Sequence, residues 1–253
     1  MSIADFLTSS VFQFFMVFAR VGGAIAYIPG FGEAYVAMRA RLAFALMLTL
    51  ALFPLVGDTM PALPSHPAQL GLLVLGEVTI GIFFGLMCRV ILMATLAAGM
   101  IIALQIGIAN ALSSDPTTAQ QGAVTGNFLI AAAVVLIFAT GLDHATLRAL
   151  VGTYGVFPSG ELPNLADMAN LFTRVVADSF TLALQMTAPF IVYGLVVQVG
   201  MGLLARLMPT LQVFFVIMPL QLLVGFGLMA VTVSAALIWL LDVYQDHLTP
   251  FVE

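Results

Sequence analysis

Glu77 is the first candidate for a chemical role, because it is a carboxylic acid inside an apolar segment of this chain. A carboxylate at membrane depth is costly unless it is paired, and in transporters such a group can take part in coupling ions to solute movement. Arg20 and Arg89 are the candidate partners within neighbouring apolar segments. Two interpretations stay open: an ion-coupling site, or a structural pair made by a residue near a helix end, which is favoured.

Small residues recur around these groups at helical spacing. Gly81 and Gly85 follow Glu77 at intervals of four, so the three share one side of a helix with a GxxxG-type packing surface. A second stripe with the same spacing comes later in the chain and consists of Gly194, Gln198, Gly202 and Arg206. Stripes of this kind are typical seats for a neighbouring helix.

The sequence lacks the residues that several other kinds of chemistry require. All seven basic residues are arginine, so the sequence excludes a P-loop lysine, a Ser-Lys dyad and a Schiff base. The three histidines have no partners at metal-ligand spacing, and the single cysteine excludes an internal disulfide. We therefore predict a protein that is not an enzyme and has no cofactor. Without a basic patch, nucleic acid is not an expected partner.

The elements that must position these residues are membrane helices. The chain is 62% hydrophobic and only 8% charged, and its mean hydropathy is +1.15. These values predict an all-α, multi-pass membrane protein. The lengths and prolines of its apolar runs indicate long, kinked helices, and a C-terminal helical hairpin is one alternative for the last two of them. Apolar helices are predicted near residues 11–30, 40–56, 69–88, 90–112, 123–141, 178–207 and 211–241. Only Arg89 separates the third from the fourth, so one bent helix is an alternative.

The last two predicted helices are too long for a bilayer. About thirty residues at 1.5 Å each give roughly 45 Å, against a hydrocarbon core of about 30 Å. Either Pro189 and Pro219 break these helices, or the pair forms a hairpin that leaves the bilayer and is covered by other protein. The polar connection at 155–172 precedes them, and within it Asn164 or Asp167 could cap a short amphipathic helix.

One polar stretch, "ANALSSDPTTAQQGAVTGNF" at 109–128, stands between two strongly apolar segments. From Ser113 to Gly122 it contains no large apolar side chain. Irregular backbone is not tolerated in hydrocarbon, but it is tolerated where it lines an aqueous lumen or is buried in protein. The residues alone favour an ordinary surface loop, with a lumen-lining loop as the alternative.

Three runs of residues, taken in order, resemble the FliR family of flagellar export proteins and its injectisome counterparts. The run at 18–54 has an arginine in its first helix, a proline-bearing break and a basic entry into a second helix. The run at 99–129 has Gln-x-Gly followed by an Asp-Pro loop. The third, at 196–226, has Gly-Leu-Leu-x-Arg-x-x-Pro, and its second proline, Pro219, comes ten residues after Pro209.

This resemblance implies a structural and gating subunit of the type III export apparatus. In the family, one FliR copy assembles with five FliP and four FliQ subunits, is joined by FlhB, and passes unfolded export substrates. The implied place is the bacterial inner membrane at the flagellar basal body, in contact with membrane lipid. Residues 1–174 would be FliP-like, and residues 175–253 a FliQ-like helical hairpin. The alternatives are the injectisome counterpart and, from another class, an ion-coupled small-solute transporter using Glu77 and Arg20.

The resemblance also gives the polar stretch a role, since in this family the segment after the Gln-x-Gly helix plugs the channel. Here the plug would run from Gly107 to Gly126, with glycines that can absorb large backbone changes. Its candidate residues are Gly107, Asn110, Ser113, Ser114, Asp115, Pro116, Gln120, Gln121, Gly122 and Gly126. Assembly and packing are predicted for Arg20, Glu77, Gly81, Gly85, Arg89, Gly194, Gln198, Gly202, Arg206, Pro209 and Pro219.

Overall fold

The computed structural model describes residues 3–108, 123–161, 163–208 and 213–252. In these ranges the fold is all-α, without a β-strand, which confirms the predicted class. The helices there are α1 (Ile3–Ile25), α2 (Met38–Val56), α3 (Pro67–Gln105), α4 (Ala123–Ala139), α5 (Leu142–Val156), α6 (Leu165–Leu207) and α7 (Val213–Leu248). Short 3-10 turns occupy Gly57–Thr59 and Thr249–Phe251.

Within the ranges that the structure describes, four helical segments are long and apolar enough to cross a membrane. They are α2, α3, α6 and the stretch Ile217–Phe251. A fifth span is possible if α4 and α5, which are bent by 77° at the break between them, count as one. The lengths and composition of these helices confirm a multi-pass membrane protein.

The third and fourth predicted segments form one helix, α3, of 39 residues. It begins at Pro67, whose missing N–H costs nothing in a first turn. Arg89 does not interrupt the helix, because arginine is a good helix former. Its Nη1 atom lies 3.6 Å from Glu33 Oε1 at the side of the helix.

Helix α5 is absent from the predicted segments. It carries Asp143, His144 and Arg148, so on its own it lacks the continuous apolar character of a membrane span, although together with α4 it is apolar enough for one. Gly141 has a φ of +76°, a left-handed conformation suited to glycine, and it makes the sharp turn from α4 into α5 possible.

Helix α6 begins well before the predicted residue 178. Asn164 Oδ1 accepts a hydrogen bond from the Ala166 N–H at 3.1 Å, so Asn164 caps the first turn. Its Nδ2 donates to Asp167 Oδ2 at 2.8 Å. Of the two candidate caps, Asn164 is therefore the one used, and the predicted short amphipathic helix is the first part of α6.

Neither proline breaks the long C-terminal helices. Pro189 lies inside α6, which has 43 residues, and Pro219 lies inside α7, which has 36. At 1.5 Å per residue, α6 is about 65 Å long and α7 about 54 Å, well above the roughly 30 Å of a hydrocarbon core. The proline-break alternative is wrong, and coverage of these helices by other protein stays a prediction.

The chain forms two compact units. One contains residues 1–90, 137–176 and 244–253, with buried side chains that include Met16, Val21, Phe84 and Leu150. The other contains residues 91–136 and 177–243, and its core includes Ile102, Ile106, Leu129 and Phe190. The predicted division into FliP-like and FliQ-like parts concerns likeness to other proteins, and it stays a prediction.

Candidate functional site

In the first unit, Arg20 of α1 and Glu77 of α3 form a buried ion pair. Their side chains are 0% and 2% exposed, and Arg20 Nε donates to Glu77 Oε2 at 2.5 Å. Arg20 is thus the partner of Glu77 among the two arginines that the sequence offered, whereas Arg89 pairs with Glu33. The expectation that Glu77 lies near a helix end is wrong, because it comes ten residues after Pro67, the start of α3.

The remaining donors of Arg20 bind α5 and the connection after it. Nη2 donates to the Phe157 carbonyl at 3.0 Å and lies 3.5 Å from Ser159 Oγ, and Nη1 lies 3.4 Å from Thr153 Oγ1. The guanidinium also stacks over the Tyr154 ring, 4.0 Å from its centroid, as a cation–π contact. A buried guanidinium needs this density of partners to offset its lost hydration.

Two glycines that follow Glu77 on the same side of α3 bring α1 and α3 into backbone contact. A Cβ atom added at Gly81 would overlap the Arg20 carbonyl, and one at Gly85 would overlap the Ala24 carbonyl. On the facing helix, a Cβ at Gly23 would lie 3.0 Å from the Val78 carbonyl oxygen. Close backbone approach through glycines therefore places the Arg20 and Glu77 side chains together.

This arrangement favours a structural role for the pair. An ion-coupling carboxylate must exchange its proton or ion with water, whereas Glu77 is buried and held by a guanidinium whose other donors are also engaged. What the pair does is join α1 to α3 and α5. Arg89 does not belong to this site, since it is 26% exposed and its partner Glu33 belongs to the loop after α1.

In the second unit, the end of α3 leads directly into the predicted plug. Gly107 has a φ of +85°, and its N–H donates to the Leu104 carbonyl at 3.3 Å, which ends the helix with a left-handed residue. Gln221 Nε2, from α7, donates to the Gln105 carbonyl at 2.9 Å. The last carbonyls of a helix have no partner within that helix, so Gln221 caps α3 from a different helix.

This cap is itself held in place. The Tyr193 hydroxyl of α6 donates to the Gln221 carbonyl at 2.7 Å. A Cβ at Gly107 would lie 3.2 Å from Gln221 Cδ, and one at Gly194 would overlap the Gln105 side chain. The left-handed backbone of Gly107 favours glycine there, and the point where the chain leaves α3 is in contact with both α6 and α7.

The plug candidates divide into two groups. Gly107 and Gly126 are described, and Gly126 lies in α4, where a Cβ would approach Leu96 of α3 within 3.0 Å of its carbonyl oxygen. The candidates outside the described residues are Asn110, Ser113, Ser114, Asp115, Pro116, Gln120, Gln121 and Gly122. Pro209 also lies outside them.

The stripe that begins at Gly194 is packed only at its start. The Gln105 side chain occupies the space beside Gly194, whereas Gln198, Gly202 and Arg206 are exposed on α6. Pro219 is exposed on α7. A Cβ at Gly202 would meet no atom within 4 Å. The use of this exposed stripe as a seat for another helix stays a prediction.

We expect the Gln221→Leu variant to loosen the end of α3. Leucine is close to glutamine in size but cannot donate to the Gln105 carbonyl, and leaving a partly buried carbonyl unpaired costs about 1 to 3 kcal/mol. Amide hydrogen exchange at residues 106–108 should become faster. Gln198→Leu, on the exposed face of α6, is the matched control. Unchanged exchange at 106–108 in Gln221→Leu would contradict the capping role.

Comparison with known proteins identifies the family of the chain. Residues 11–247 match the family described as "Bacterial export proteins, family 1". The chain is 37% identical over 237 residues to the flagellar biosynthetic protein FliR of Caulobacter vibrioides, covering 93% of this chain and 94% of that protein. It is 30% identical to FliR of Escherichia coli over 93% of this chain and 87% of that protein.

A more distant relative comes from another export system. The chain is 23% identical over 222 residues to the Yop proteins translocation protein T of Yersinia pestis, covering 87% of this chain and 85% of that protein. The family match spans nearly the whole chain and the flagellar relatives are covered almost completely. The chain therefore belongs to the FliR family of bacterial export proteins.

Proposed function

We propose that this chain is the FliR-type subunit of a flagellar type III export gate in the bacterial inner membrane. Family membership makes it a component of a type III export apparatus, which is a structural role and not a class of enzyme. One observation carries the flagellar assignment: identity is 37% over 93% of the chain to a flagellar FliR, against 23% over 87% to the Yop protein.

The proposed partners are FliP, FliQ and FlhB. Support comes from the surface of α6 and α7, where large apolar side chains such as Leu195, Leu203, Leu223 and Val231 are more than half exposed. Both helices are also longer than a bilayer is thick, so part of this apolar surface needs protein to cover it. A FliQ-like hairpin at 175–253, stacked on FliQ subunits, meets that need.

The proposed mechanism is conformational. The segment from Gly107 to Gly126 closes the passage for unfolded substrates, because uncharged polar side chains can be packed in a closed channel and hydrated in an open one. Its first residue is anchored by the Gln221 cap on α3, and its last by the contact of α4 with α3. Arg20 and Glu77 serve by holding α1, α3 and α5 together.

Gene deletion in the host tests the flagellar assignment. Removing the coding sequence should stop the export of hook and filament proteins into the medium, and a plasmid copy should restore it. Immunoblots of culture supernatants measure both. Secretion of needle and effector proteins, in a host that has an injectisome, is the control and should be unchanged. Normal filament export after deletion, with loss of effector secretion, would assign the chain to the injectisome instead.

A further inference from the structure

An apolar groove in the first unit lies between α2, α5 and the turn Thr249–Phe251. Its volume is about 590 Å³. The walls are built mainly from Leu48, Leu52, Leu55, Leu147, Val151 and Val252. Leu55 is 70% exposed and Val252 54%, so the groove is open at the surface. Because α2 is a candidate membrane span, this surface is expected to meet the acyl chains of lipid.

Two basic side chains also line the groove. Arg148 and His144 are one helical turn apart on α5, and no acidic or amide side chain is among the lining residues. The His144 ring contacts the Asp143 carboxylate, with Nδ1 and Oδ1 3.0 Å apart. His144 therefore has an acidic neighbour, and Arg148 is the cation of the groove.

Arg148 differs from the arginines whose side chains bind other parts of the fold. Arg20 and Arg89 have carboxylate partners, and Arg41 donates to two loop carbonyls. Within the described residues, the exposed Arg148 guanidinium makes no hydrogen bond and no ion pair. It lies in the bent helix pair that counts as a possible span, where an unpaired cation calls for an anion from outside the chain.

We propose that this groove binds an anionic phospholipid, with an acyl chain along the leucines and the phosphate at Arg148. Basic pockets between membrane helices are known to bind anionic lipid headgroups. An extended peptide is the less suitable occupant, because the lining offers it no carboxylate or amide side chain to bind its polar backbone. A helix of a partner subunit satisfies its own backbone, and it is the alternative that the cross-linking test below distinguishes. The proposal rests on the membrane location of the chain and does not depend on its role in export.

Native mass spectrometry of the purified, delipidated complex tests this. Dioleoyl-phosphatidylglycerol is added to one sample, phosphatidylcholine with the same chains to another, and inorganic phosphate to a third. We expect phosphatidylglycerol to stay bound to this chain at least tenfold more than phosphatidylcholine, and inorganic phosphate to give no adduct. Equal retention of the two lipids, or a phosphate adduct that competes with the lipid, would overturn the proposal.

Variants separate the headgroup from the groove. Arg148→Gln should lose the preference for phosphatidylglycerol, whereas Arg174→Gln, an exposed arginine on α6, should keep it. Leu55→Trp places a larger side chain at an exposed position of the mouth and should lower retention of both lipids, which tests the groove even if Arg148→Gln folds poorly. Wild-type retention in Arg148→Gln or in Leu55→Trp, or a partner subunit cross-linked inside the groove of the lipid-bound complex, would overturn the proposal.

Discussion

Removing residues 113–122 is expected to make the inner membrane permeable to ions and small solutes while the export complex still assembles. These ten residues form the middle of the proposed plug, and their removal leaves its two ends anchored at Gly107 and in α4. An open passage through the complex then conducts whenever it is not filled by substrate. Uptake of a normally excluded dye, together with membrane potential, measures the leak in cells that express the variant.

A replacement of the same length controls for the general effect of altering the loop. Substituting residues 113–122 by ten alternating glycine and serine residues keeps the length and the uncharged polar character, so it should leak less than the deletion. Co-purification of the complex from the same cells establishes that both variants are assembled. Unchanged permeability in an assembled deletion variant would show that this loop closes nothing, whereas the assignment to the family would stand.

Glu77→Gln is expected to destabilise the protein strongly. It leaves the fully buried Arg20 without its counter-ion, and removing one member of a buried ion pair costs about 3 to 5 kcal/mol. The Tm of the detergent-solubilised protein and its steady-state level in the membrane should both fall. Replacing both residues by methionine should recover part of the loss, because the unpaired buried charge is then gone.

The matched control is Glu33→Gln, which removes the carboxylate partner of Arg89. That pair is partly exposed and its atoms are 3.6 Å apart, so its loss should cost about 1 kcal/mol or less. A wild-type Tm for Glu77→Gln, combined with loss of an ion-driven solute flux, would instead support the transporter alternative. In that case Glu77 would act by exchanging protons or ions and not by holding helices.

Fold class was predictable because it depends on composition and on the length of apolar runs. The continuity of α3 was only an alternative, since a lone Arg89 can either end an apolar helix or pair at its side with Glu33. Helix α5 was missed because its polar residues resemble a loop when burial is unknown. The start of α6 was nearly predicted, because Asn164 has the side chain that an N-cap requires.

The candidate sites, like the helices, were predictable from the sequence only in part. Spacing of four along α3 predicted a small-residue face from a local periodicity, and in the structure Gly81 and Gly85 lie against the backbone of α1. The partner of Glu77 could not be chosen, since Arg20 is 57 positions away in the chain and tertiary packing decides between two arginines. Gln221 gave no signal as a cap for Gln105, which is 116 positions away. Contacts of this kind depend on how helices pack, and a single sequence does not encode that in any local pattern.

The most direct test of the proposed export-gate subunit is the composition of the complex in which it purifies. An affinity-tagged copy expressed in its host, extracted in mild detergent and weighed by native mass spectrometry, should be found once in an assembly with five FliP and four FliQ subunits. We expect this assembly to persist in the 113–122 deletion. A monodisperse monomer, active in solute transport and free of FliP and FliQ, would contradict it.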